Sequence, residues 1–219
     1  MPLPILYGHP FASYTQKALV ALYENQTQFT FRLLDRAEPE NFAEFEKLWP
    51  LKKFPLLVDN DRTIPEATVI IEHLDVHYPG PVRFIPADPE AALEVRFLDR
   101  FFDNYVQTPM QAIVGNALRD PSQRDVKGVA DARALLDVAY SWLEARMGSR
   151  EWAAGAFSLA DCSAAPALFY ADWAHGIGER FPAVRAYRER LNTRPSFARA
   201  IDEARPYRHF FPLGAPDRD

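Results

Sequence analysis

The sequence predicts two units in series: an α/β domain built on a four-stranded mixed sheet, followed by an all-α helical domain. Three observations carry that prediction. A strand, a helix and a second strand follow one another within about 35 residues, a spacing that calls for a parallel pair joined by a right-handed crossover. Two more short strands around a tight turn, and then a helix, fit before residue 80. Beyond the proline cluster "GPVRFIPADPE" the apolar pattern is helical throughout.

Taken in order, "LPILYG" (residues 3–8) reads as a strand stopped by Gly8-His9-Pro10. In "SYTQKALVALYENQ" Ala18, Leu19, Leu22 and Tyr23 fall at helical spacing. Ser13 and Gln16 there fit the S-x-x-Q capping box, which predicts a helix starting at Tyr14. "FTFRLLD" alternates and is a second strand, and residues 40–48 form a short helix. The stretch "LKKFPLLVDNDRTIPEAT" (51–68) gives a buried strand over Leu56–Val58, a turn at Asp59-Asn60-Asp61 and a short return strand. Glu66 then opens the helix "EATVIIEHLDVHY", closed by Pro79-Gly80-Pro81. This βαβ-ββα order is thioredoxin-like; we place that domain at residues 1–80, a linker at 81–87 and the helical domain at 88–219.

In the helical part, Asp88 is the expected N-cap and Pro89 the first helical residue of "DPEAALEVRFLDRFFDNYV". "DVKGVADARALLDVAYSWLEARM" is amphipathic. "SLADCSAAPALFYADWA" is apolar almost all round and should be the central helix, opened by an S-x-x-D capping box of Ser158 and Asp161. "FPAVRAYRERLNTRP" and "SFARAIDEA" complete a bundle, and the tail "HFFPLGAPDRD" carries no period.

Composition narrows the function classes. Hydrophobic residues make up 48% and charged residues 25%, ordinary for a soluble globular protein. The net charge of −5 is shared along the chain, so no basic face for nucleic acid is expected. One cysteine, Cys162, excludes an internal disulfide, a CxxC redox pair and a Cys-rich zinc site, and fits a reducing compartment. "MPLPILYGHPFASYTQK" lacks the pattern of a signal peptide, and no apolar run is long enough to span a bilayer. A cytoplasmic protein with no membrane partner and no metal is the expectation.

Four local features, in order and over nearly the whole chain, resemble the glutathione transferases: "HPFASYTQKALVAL", "KKFPLLVD", "PEAT" and "FSLADCSAAPALF". On its residues alone, Pro55 is a proline at a strand start, where a missing N–H is harmless. The resemblance implies instead a cis Phe54–Pro55 bond that leaves the Phe54 backbone free to pair with the cysteinyl part of glutathione, like an added strand. Glu66 alone is a favourable charge at a helix N-terminus. The resemblance adds that Glu66 binds the γ-glutamyl amine, while the N–H groups of Ala67 and Thr68 take the carboxylate. Alanine at position 67 departs from the family's usual serine or threonine, and the Thr68 hydroxyl replaces the lost donor if it turns inward. Lys53, in preference to Lys52, matches the ligand of the glycyl carboxylate. Asp103 resembles the acid that in some classes reaches the amine across a dimer interface.

The resemblance also implies a group that favours the glutathione thiolate, which is the nucleophile. Ser13 matches the serine-type classes; by itself it is a helix N-cap. Tyr7, at the strand end, and Tyr14 are the alternatives. The wall for a small hydrophobic electrophile is expected from Phe11, Phe102, Tyr105 and Met110, with Trp173 and the tail as possible covers of the pocket. Cys162 is a buried helix residue, not a nucleophile. The implied protein is a homodimeric transferase acting in detoxification, with glutathione as co-substrate and no permanently bound cofactor. Two rivals stay open: a binding or regulatory protein on the same fold with little turnover, and a glutathione-dependent isomerase or dehalogenase.

Overall fold

The computed structural model describes residues 2–219. Strands β1 (Ile5–Gly8), β2 (Thr30–Leu33), β3 (Leu56–Asp59) and β4 (Arg62–Pro65) form one sheet in the order β2-β1-β3-β4. β1 runs parallel to β2 and antiparallel to β3, and β3 is antiparallel to β4. Register follows the side-chain alternation of strands. Leu6 lies opposite Leu57, and both join the core under helices α1 (Ser13–Glu24) and α3 (Ala67–His77). Tyr7 lies opposite Leu56, and these two face the other way, against Phe45 of helix α2 (Pro39–Leu48).

Helix α1 sits at the centre of the molecule, with every residue from Thr15 to Leu22 buried. It packs on the sheet and α3 on one side and on the helical domain on the other. Its close approach to β1 depends on Gly8, because a Cβ there would lie 2.6 Å from Thr15 Cγ2. The start of α1 differs from the sequence expectation. Ser13 is already helical, Ala12 is the N-cap, and no side chain caps the end. The Gln16 amide, expected to reach back in a capping box, instead donates to Pro10 O (2.9 Å) and to the Tyr170 hydroxyl (3.1 Å) of the helical domain. A tertiary partner wins it from the local one.

The segment after α3 is pinned at both ends. Asn25, at the end of α1, donates to Val82 O (3.0 Å) and accepts from Val82 N (2.9 Å). Asp75 accepts from the N–H of the buried Phe84 (2.8 Å). Asp88 caps α4 (Pro89–Phe101) by accepting from Ala91 N at 2.8 Å, as the sequence predicts. After α4 the chain makes a π-helical turn, Phe102–Gln107, and continues as α5 (Thr108–Ala117). Pro109 accounts for the widened turn: its ring has no N–H and would clash with the carbonyl four residues back, and one wider turn relieves that clash.

Helices α6 (Val126–Met147), α7 (Leu159–Ala174), α8 (Pro182–Thr193) and α9 (Pro195–Ala204) complete the bundle. All residues of α7 are buried, in accord with its unbroken apolar character. Ser158 and Asp161 form the expected capping box, and Asp161 also accepts from Tyr187 Oη (2.6 Å) and Ala153 N (3.0 Å). Cys162 is fully buried, and burial pushes its thiol well above the ordinary range, so it is no nucleophile. The tail takes a 3₁₀ turn over Arg205–Phe210. Arg218 is tied to Asp172 of α7, and Asp219 to Arg205 and Arg208. No helix among the described residues is long and apolar enough to cross a membrane.

Candidate active site

A cavity of about 680 Å³ opens between the sheet domain and the helical domain. Three segments of the sheet domain line it: Phe11–Tyr14 at the start of α1, Lys52–Pro55 before β3, and Glu66–Ala67 at the start of α3. The N-termini of α1 and α3 therefore both end at this cavity, and their unpaired N–H groups favour an anion there. The Phe54–Pro55 bond is cis. Phe54 precedes the β-ladder, whose register begins at Leu56.

Glu66 is the N-cap of α3 and takes φ 71° and ψ 121°, in the left-handed half of backbone space that a β-carbon disfavours. Its carboxylate is exposed and, among the described residues, has no cation or donor paired with it. Lys53 is likewise exposed and unpaired among the described residues, whereas Lys52 Nζ lies 2.9 Å from Glu46 Oε1. Among the described residues the rim therefore offers an unpaired anion, Glu66, and an unpaired cation, Lys53. Ala67 is buried and lines the cavity beside Glu66.

The hydroxyl of Thr68 does not turn into the cavity. It donates to Asp99 Oδ2 (2.9 Å) and accepts from Lys17 Nζ (2.9 Å), within a cluster between the two domains. It therefore does not supply the hydroxyl donor expected beside Ala67, because buried charges compete for it more strongly than the open cavity does. In that cluster the fully buried Lys17 ammonium lies 2.6 Å from Asp99 and 2.9 Å from Asp103. Arg100 closes it from the cavity side, 2.6 Å from each carboxylate. Burial works to raise Asp99, but the Lys17 charge and donors outweigh it and hold the carboxyl below its usual range. Asp103 is pushed upward, chiefly by burial, with Asp99 adding to the effect and Lys17 opposing it. Both Asp103 oxygens accept from cations of its own chain, Oδ1 from Lys17 and Oδ2 from Lys17 and Arg100, and the residue lines the cavity.

Of the three hydroxyls, Ser13 and Tyr14 line the cavity and Tyr7 does not. Tyr7 is buried against Phe45 on the far face of the sheet, and burial, together with Glu44, pushes its phenol up to about 12. Burial also raises the Tyr14 phenol, with Asp103 adding to it. Ser13 is half-buried at the first turn of α1, and its Oγ accepts a hydrogen bond from Gln107 Nε2.

The expected electrophile wall divides in the same way. Phe11 and Met110 line the cavity. Phe102 is fully buried in the core, and Tyr105 is half exposed, away from the cavity. The lining face of α4, the π turn and α5 is the row Arg100, Asp103, Asn104, Gln107, Gln111 and Val114, mostly polar. Apolar spacing favoured the face turned to the bundle core, so the row apart from Asp103 was missed; its signal was polar residues at i, i+3 and i+4. Phe210, Phe211 and Pro212 of the tail close the cavity, and Trp173 packs behind them, 5.3 Å from the Phe211 ring.

A sheet domain of this topology, an adjoining helical bundle and a cleft at two helix N-termini define a class, and comparison with known proteins gives its family. The profile described as "Glutathione S-transferase, N-terminal domain" matches residues 6–82, and "Glutathione S-transferase, C-terminal domain" matches residues 126–190. The chain belongs to the glutathione S-transferase family. It is 28% identical to a probable maleylacetoacetate isomerase of Vibrio cholerae, over 92% of this chain and 97% of that one. It is 26% identical to the glutathione S-transferase hmp2 of Hypomyces subiculosus, over 91% and 98% of the two chains. A glutathione S-transferase of Methylobacillus flagellatus, solved with glutathione bound, shares the fold at TM-score 0.79 and 23% identity, covering 90% of this chain and 98% of that one.

Proposed function

We propose that the protein binds reduced glutathione in this cavity, stabilises its thiolate beside Ser13, and adds it to an electrophile held against the α4–α5 wall. One observation carries the reading: unpaired Glu66 and Lys53 flank the free Phe54 backbone, next to two helix N-termini. That layout complements a tripeptide with one amine and two carboxylates. Glu66 takes the amine, the N–H groups of Ala67 and Thr68 the γ-glutamyl carboxylate, and Lys53 the glycyl carboxylate. Catalysis combines a lowered thiol pKa with proximity. The division of the chain at residues 81–87 and homodimerisation belong to the same reading. Dimerisation is supported by Leu93, Phe97 and Val138, which a lone chain leaves exposed on α4 and α6.

Titration calorimetry tests the binding step. Heat is expected with reduced glutathione and none with cysteinylglycine, which lacks the γ-glutamyl group; no heat with either overturns the reading. Conjugation to an activated aryl halide then tests turnover. A second reading, a glutathione-dependent isomerase, is favoured by the wall of Arg100, Asp103, Asn104, Gln107 and Gln111, which suits a polar substrate better than an apolar one. The full-length similarity to a probable maleylacetoacetate isomerase supports it too. Isomerisation of maleylacetoacetate without conjugation of the aryl halide decides for that reading.

A further inference from the structure

Gln107 ends the π-helical turn and is almost fully buried, although it lines the cavity. Its amide nitrogen donates to Ser13 Oγ across the domain interface, and its amide oxygen is buried with no partner. A buried orphan carbonyl is uncommon and calls for a reason. We propose that Gln107 is a positioning residue for Ser13: by donating to Oγ it leaves the serine's own proton free to point at the glutathione sulfur. A hydroxyl has one proton and two acceptor lone pairs. Had the amide oxygen faced Ser13, it would have captured that proton and left the thiolate without its donor. With Gln107 donating, the step we infer sends the thiol proton to solvent, leaves Ser13 its own, and forms no bond to the protein. A hydroxyl that accepts one hydrogen bond is also polarised into a better donor of the next.

The wider turn before Pro109 lies directly beside this contact, so the unusual stretch of helix and the orphan carbonyl meet at one residue. Sequence spacing puts Gln107 in the polar row of this wall but does not show its contact with Ser13, which appears only once α1 and the π turn face each other.

This inference rests on the reading that Ser13 serves the thiolate, and the two are tested separately. The ultraviolet absorbance of the thiolate, followed against pH with glutathione bound, gives the thiol pKa in wild type, Ser13→Ala, Gln107→Leu, Gln107→Glu and the Ser13→Ala/Gln107→Glu double variant. Ser13→Ala should raise that pKa by about one unit, a tenfold loss of thiolate at a pH below it. If it does not, the Ser13 reading fails. Given that it does, Gln107→Glu, which replaces the donor by an acceptor, should raise the pKa by a similar amount. In the Ser13→Ala background it should add clearly less, leaving only the like-charge effect of the new carboxylate, because the hydrogen-bonding part is one interaction that both changes remove. Gln107→Leu should raise it by less, since the serine proton is then unguided but not captured. An unchanged thiol pKa in Gln107→Glu with Ser13 present, or an equal further rise with Ser13 absent, overturns the role of Gln107. Calorimetry with glutathione on each variant separates a shifted thiol from a lost site.

Discussion

Glu66 joins two demands at one residue. Its backbone turns into the left-handed region to end β4 and begin α3, and its carboxylate, unpaired among the described residues, stands at the cavity. The first demand is met by geometry and the second by charge, so substitutions can separate them. Glu66→Gln keeps the shape and removes the charge. A hydrogen bond to a charged group contributes about 1.5–3 kcal/mol, so glutathione should bind roughly tenfold to a hundredfold more weakly, with little change in thermal stability. Equal affinity by calorimetry would show that the amine is bound elsewhere. The sequence alone marks Glu66 as a helix-start residue, because that signal is local. What it cannot show is that Thr68, two residues on, turns away from the cavity, since the partners that draw it, Lys17 and Asp99, lie far off in the chain.

At the scale of elements, most of what was legible in the sequence was decided by neighbours in the chain. Asp88 with Pro89, and Ser158 with Asp161, start helices where their spacing says they should. Leu56–Leu57 and the turn before Arg62 give a hairpin for the same reason. The failures are places where a tertiary contact overrides the local preference. Gln16 abandons the capping box for Tyr170, and the run 102–107 leaves the α-helical period because of Pro109. Lys17 sits in a stretch that reads as an ordinary amphipathic helix, yet it is fully buried, and only its two aspartates explain why. Packing between elements sets its own limits. Gly8→Ala drives a methyl into Thr15 and should cost about 1–3 kcal/mol in urea denaturation. Thr15→Ala in the same chain should restore most of that; failure to restore it would place the cost elsewhere.

Across the whole molecule, the two domains are tied by charge as well as by apolar contact. Lys17 of α1 holds Asp99 and Asp103 of the helical domain, and Arg100 and Thr68 complete the tie. Removing the lysine leaves two buried carboxylates with one cation. Lys17→Met should therefore destabilise by about 3–5 kcal/mol at neutral pH. The sign with pH follows from linkage. With Lys17 present, Asp99 sits below its unfolded value, so its contribution is present at neutral pH and is lost as pH falls through the lowered pKa. Without Lys17, burial raises the carboxyls above their unfolded values; the folded state then binds more protons, and stability falls as pH rises. The penalty of the variant should thus be smaller near pH ~4 than at pH ~7. An equal penalty at both, measured by denaturant unfolding, would show that packing and not charge explains it.

The burial of α1 on both flanks bears on how the chain melts. One apolar cluster runs from Leu6 and Leu57 of the sheet through Leu19 and Leu22 to Leu168 and Phe197 of the bundle. There is thus no natural cut at which one half can be produced alone without opening a wide oily surface to water. Heating should disassemble both halves together in one cooperative step, and the cavity between the domains, which lies on that seam, lasts as long as the seam does.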